Sequence, residues 1–451
     1  MTLRHRGRRA TLGLVVAGGA AVVLAACDLQ RDPTPPDLRA RIDSLQGVVE
    51  RLRGSRFLRP VQGRVVPRHR LLEVYDSTAF EQGDPADSAL LSLYGAFGFI
   101  DSVDQDPGAA DSVDQRSIDA FYARGVLWVV DDVPRENGEL DEVVVHELVH
   151  ALQDQLWDIE AKVVASPGLD ERLSLQYLME GEAKLVETMY RVSDRDTLAH
   201  RLPPLPLEAF RDSLEVEGGL DPELVTIPIF HPYGQGAHVL LGRWLEHGWS
   251  GIDSWWRTPP RATRCFLRPD VPCLAPPALP LAPLVDLPQP WKRIHRGSLG
   301  MLHANILFSI WNASSEWLPL DSLRSGSLLQ LGRDLPPDSV THGMVSDSFA
   351  LWENDSGSLV LAWRTRWETA LAASRFLDAW ARLLVRKQRT DVLVRRDPGR
   401  LLLAHDPDYG VWDRGERFGD EVWIVEGVPG IGPADFAMAP RKAHGLAATR
   451  P

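Results

Sequence analysis

The pentapeptide His146-Glu147-Leu148-Val149-His150 constrains this chain more than any other feature. On an α-helix, side chains four residues apart stack on one face, so both imidazoles can reach one metal ion at about 2.0–2.1 Å. The flanks agree with the helix. Val143, Val144 and Val145 precede the motif, Ala151, Leu152, Leu156 and Trp157 follow it, and no glycine or proline interrupts. A helix over 142–159 is predicted, with apolar residues on more than one face, hence buried.

The residue types suit hydrolysis. Glu147 falls on a neighbouring part of the histidine face, where a carboxylate can take the proton of a water activated by Zn²⁺ and pass it to a leaving amine. A catalytic zinc needs a third protein ligand and one open position. A continuation with glycine at 153 and histidine at 156 would supply that ligand, but Gln153 and Leu156 stand there. The ligand must come from another element, and Glu180-Gly181-Glu182-Ala183, in a helix predicted over 173–192, is the best source.

At 100° per residue, Leu175, Leu178, Met179, Val186 and Met189 form one apolar stripe. Glu182 falls near its middle, and Glu180 and Glu187 lie together on another face. Glu180 is one candidate ligand. Glu182 is the alternative, because a carboxylate inside an apolar stripe needs a partner. With Glu180 on the metal, Glu187 becomes a candidate to orient a ligating histidine. His231 and Tyr233, in the segment Phe230-His231-Pro232-Tyr233-Gly234, are candidates to donate to the developing oxyanion.

The first residues belong to export, not to the fold. Arg4, Arg6, Arg8 and Arg9 precede an apolar run over 11–26, which Leu24-Ala25-Ala26-Cys27 closes. That order matches a lipoprotein signal peptide with a lipobox at 1–27, in which Cys27 is acylated. The chain is then exported and lipid-anchored to a bacterial membrane or envelope. Cys265 and Cys273, the two other cysteines, form a possible disulfide in such an oxidising compartment.

The remaining organisation follows from composition. With 44% hydrophobic residues, 451 residues suffice for a sizeable core. A net charge of -13 lacks the basic face that nucleic acid requires, so no nucleic-acid partner is expected. Leu38, Ile42, Leu45, Val49 and Leu52 mark a tether-linked amphipathic helix within 28–56, too short for a coiled coil. A metallopeptidase domain over 57–268 comes next, with Trp128 to Val130 as either an edge strand or a core strand and 203–232 as loop and short helices. Residues 269–290 are a Pro-rich connector, 291–440 a C-terminal α+β region, and 441–451 a tail. The tryptophans, including Trp244, Trp249, Trp255 and Trp256, are read as core.

An HExxH helix followed by a second helix bearing EGxA resembles the gluzincin clan of zinc metallopeptidases. More narrowly, HELVHALQDQ with EGEA is similar to a family of bacterial exported proteins of uncharacterised function with metallopeptidase-like domains. The likeness extends through AFYARGVLWVV and FHPYGQGAHVLL, over roughly residues 115–260, and more weakly through WRTRWETALAASRFL. Arg261 to Asp270 departs from that family's pattern. The resemblance implies an α+β, zincin-like fold. It also implies His146, His150 and Glu180 as the zinc ligands, Glu147 as general base, and a peptide or protein substrate. The alternative is a non-catalytic zincin-fold lipoprotein with a binding or envelope-structural role.

Overall fold

The computed structural model describes residues 34–71, 73–74, 88–100, 118–133, 138–166, 168–192, 194–211, 222–281, 291–313, 337–388, 393–397, 400–406 and 410–429. Cys27 lies outside them. Helices and strands both contribute, and the fold is α+β. The chain divides into two compact units. The first comprises residues 1–83, 112–160 and 186–198, and the second 84–111, 161–185 and 199–451. Among the described residues no helix is long and apolar enough to cross a membrane.

In the first unit, α1 (Pro36–Arg53) buries Leu38, Ile42, Leu45 and Val49 and ends at Gly54 in the left-handed conformation. Burying each such side chain contributes about 1.5–3 kcal/mol. Strand β1 (Gln62–Val66) can approach α1 closely because Gly63 has no side chain. A Cβ there would lie 2.4 Å from Ile42 Cδ1.

Strands β2 (Ala120–Ala123) and β3 (Val126–Val130) form a hairpin, and β1 pairs with β3 in parallel. The two-residue turn places Arg124 and Gly125 at positive φ, the twist that joins antiparallel strands most directly. The sheet order β1-β3-β2 decides between the two readings of the middle strand. Trp128 to Val130 are the central strand, paired on both sides and at most 1% exposed, so the run is apolar because it is interior. Helix α2 (Gly138–Trp157) packs against α1, β2 and β3. Helix α3 (Leu169–Arg191) belongs to the second unit up to Leu185 and to the first from Val186.

In the second unit, α4 (Pro222–Arg257) runs through Pro228 and Pro232 and breaks at Gly248, where φ is +61°. Where loop and short helices were expected up to residue 232, a short helix lies at Leu207–Arg211 and this long one already begins at Pro222. Each interior proline forfeits a backbone hydrogen bond, yet Ile227, His231, Pro232 and Gln235 are buried along this segment and hold it helical.

Strand β4 (Lys292–Gly297), α5 (Gly300–Ala313), β5 (Met344–Glu353), β6 (Leu359–Trp367) and α6 (Ala370–Gln388) follow. Strands β7 (Leu393–Asp397), β8 (Leu401–Asp406), β9 (Val411–Phe418) and β10 (Glu421–Pro429) complete an antiparallel sheet of order β4-β5-β6-β10-β9-β8-β7. Phe97, Phe308, Phe349, Trp363, Trp367 and Phe376 form a chain of ring contacts 4.6 to 5.7 Å apart, which puts these two tryptophans in the core.

The second unit takes in the Pro-rich segment, and residues before and within it hydrogen-bond to the part that follows. The Thr263 hydroxyl accepts from the Leu302 N–H, Arg268 donates to the His342 carbonyl, and Arg364 donates to the Pro280 carbonyl.

Candidate metal centre

Helix α2 is anchored by Val144, Val145, Leu148, Val149, Ala151 and Leu152, each at most 1% exposed. That packing fixes its rotation and sets His146 and His150 side by side, ring centroids 4.9 Å apart. His146 Nδ1 lies 3.2 Å from Glu187 Oε2, and His150 Nδ1 lies 2.9 Å from Gln153 Oε1. A carboxylate or an amide oxygen only accepts, so opposite a neutral imidazole Nδ1 carries the hydrogen and Nε2 the lone pair. Both histidines are thus oriented as metal-binding histidines commonly are.

Glu147 projects towards the edge strand. Its Oε2 accepts from the Tyr122 backbone N–H at 2.8 Å. Seven residues on, and therefore on the same helix face, Asp154 Oδ2 accepts from the Tyr122 hydroxyl at 2.7 Å. Burial and then this hydrogen bond push the Tyr122 phenol well above its ordinary pKa. Gln155 completes the turn. Its oxygen accepts from the Leu58 and Arg59 N–H groups, and its amide donates to the Arg59 carbonyl.

Helix α3 separates its glutamates by angle. Glu180 and Glu187, seven residues apart, share a face. Glu187 reaches His146, and one ligand atom from each of His146, His150 and Glu180 lies within 4.8 Å of the others. Glu182 is 1% exposed and accepts from the Trp256 indole at 2.6 Å. That indole is the partner a carboxylate within an apolar stripe requires. Gly181 has its own reason, since a Cβ there would lie 2.5 Å from the Gly236 carbonyl carbon. Helices α3 and α4 meet backbone to backbone at these glycines.

Residues 292–435 match the family profile described as "Domain of unknown function (DUF8575)". No curated protein and no solved structure matches the chain. The DUF8575 match covers β4 through β10 with α5 and α6. His146, Glu147, His150, Glu180 and Glu187 all precede it.

Two imidazoles and a carboxylate are a donor set for a divalent ion. Two ligands at about 2.1 Å from one ion sit at most about 4.2 Å apart, so shifts under about 1 Å would close the set.

The structure gives His231 a different place from the one expected. It is fully buried, its Nε2 donates to the Leu205 carbonyl at 2.8 Å, and the Tyr177 hydroxyl donates to Nδ1 at 2.6 Å. Burial pushes this imidazole down to about 4, so it is neutral, with both nitrogens committed. No donor remains for an oxyanion. Tyr233 is half-buried, its ring 6.5 Å from that of Phe230. Cys265 and Cys273 are joined as a disulfide with Cα atoms 4.9 Å apart. Trp244 and Trp249 pair at 6.1 Å, and Arg243 covers Trp255 at 4.2 Å.

Sequence reasoning missed Gln153, Asp154, Gln155 and Tyr122. The first three carried a signal, three consecutive polar residues on a helix otherwise read as buried. Tyr122 acts on Glu147 through its backbone, which no side chain advertises.

Proposed function

We propose that this chain is a zinc-dependent peptidase of the gluzincin kind, exported and held at the cell envelope by a lipidated Cys27. The observation that carries the reading is the convergence of His146, His150 and Glu180 beside Glu147, with a hydrogen-bond acceptor on Nδ1 of each histidine. His146, His150 and Glu180 would hold the ion. Bound there, zinc supplies Lewis-acid activation of water for attack on a peptide carbonyl.

The rest is done by the chain. Glu147 accepts the proton of the attacking water and returns it to the leaving nitrogen. The Tyr122 N–H and the packing of α2 hold that carboxylate towards the edge strand. Glu187 holds the His146 ring in place. The same donor types also suit iron or nickel, but an acid–base carboxylate adjacent to the first histidine favours hydrolysis.

The test is metal content and cleavage of an unstructured polypeptide by the purified chain, with and without a chelator. One zinc per chain and chelator-sensitive cleavage are expected. Glu147→Gln should keep the zinc and lose about 10²–10⁴ in rate. Zinc held firmly with no cleavage of any peptide library would replace the enzyme by a zinc-binding scaffold. For the anchor, Cys27→Ala should abolish incorporation of a fatty-acid analogue, because acylation needs the thiol. Undiminished labelling would refute it.

A further inference from the structure

We infer that Gln153 is a positioning residue of the metal centre: its side-chain oxygen holds His150 with Nδ1 protonated and so presents Nε2 to the ion. The part concerning the ion rests on the metal reading above. The part concerning the tautomer does not.

Gln153 follows His150 by three residues on α2, so the two share a helix face. It is 2% exposed, and its Oε1 lies 2.9 Å from His150 Nδ1. An oxygen acceptor forces the hydrogen onto the facing nitrogen, and a neutral ring then carries its lone pair on the other one.

The two histidines are therefore held by different chemistry. His146 is set by a carboxylate from a separate helix, Glu187 on α3. His150 is set by an amide of its own helix and travels with it. The amide also economises on charge. Glu147, Glu180 and Glu187 already bring three carboxylates to or beside the histidines. A neutral oxygen orients the second ring without adding a fourth. The neighbouring carboxylate, Asp154, is directed to Tyr122 instead.

The experiment uses the full chain with ¹⁵N-labelled histidine. Long-range nitrogen–proton spectra of the metal-stripped protein report each ring's tautomer, and the signal lost in His150→Gln assigns His150. Wild type and Gln153→Glu should show His150 protonated at Nδ1, and Gln153→Met, similar in size but without the acceptor, should lose that preference. Zinc titration against a chromophoric chelator should show Gln153→Met weakened about 10–100-fold. Gln153→Glu should bind at least as tightly as wild type.

His150 protonated at Nε2 in wild type would overturn the inference. So would Gln153→Met keeping both the tautomer and wild-type zinc affinity. Wild type that binds no zinc while His150 keeps its Gln153-dependent tautomer would remove the metal reading and leave the tautomer assignment standing.

Discussion

The Tyr122 backbone N–H donates to the Glu147 carboxylate over 2.8 Å, while the hydroxyl of the same residue donates to Asp154. One residue of the edge strand β2 thus grips the histidine-bearing helix at two points on one face. The grip joins main chain to the carboxylate proposed as base and side chain to a carboxylate two turns on.

Tyr122→Phe should separate those two functions. It removes the bond to Asp154 and leaves the backbone N–H on Glu147. Removing one partner of a half-buried hydrogen bond costs roughly 1–3 kcal/mol, read as a lower urea midpoint. Zinc affinity should stay within about threefold of wild type, since the substitution touches neither histidine nor what orients it. A collapse of zinc binding in a folded Tyr122→Phe protein would show that the strand sets the metal site itself.

The two glutamates of the EGEA segment should part company under mutation. Glu180→Ala should lose stoichiometric zinc. Glu182→Gln should keep it, because its carboxylate faces the Trp256 indole and a glutamine oxygen can still accept there. Zinc per chain by elemental analysis is the readout. Full metal in Glu180→Ala, or its loss in Glu182→Gln, would reverse the assignment.

Asp170 offers a prediction about pH. It is buried, and its carboxylate accepts from the Thr263 N–H and hydroxyl at 2.9 and 2.6 Å. Burial, the largest cause, raises its pKa from the ordinary 3.8 to about 7, against the lowering effect of those hydrogen bonds. A raised folded pKa means that the folded protein holds a proton the unfolded chain has released. The stability contributed is full below about pH 4 and is lost as pH rises towards about 7.

Asp170→Asn should lack that slope. The wild-type advantage over it should shrink by on the order of a few kcal/mol between pH 4 and pH 8, measured by denaturant unfolding. A pH-independent difference between the two proteins would sink the assignment.

Local pattern carried much of this molecule in the sequence alone. The spacing of His146 and His150 required a helix, the Leu38–Ile42–Leu45–Val49 stripe marked α1, and a 100° count put Glu180 and Glu187 on one face. Each depends on helical periodicity, which adjacent residues impose on one another. Tertiary structure decided what depends on residues far apart in the chain. Trp128 is central and not edge only because β1, some 60 residues earlier, pairs with β3. His231 is sealed between Tyr177 and Leu205, so its motif position said nothing of its role. Glu182 finds its buried partner in Trp256, 74 residues away. A side chain's chemistry can be read from its type, but its partner is set by packing, and packing is long-range.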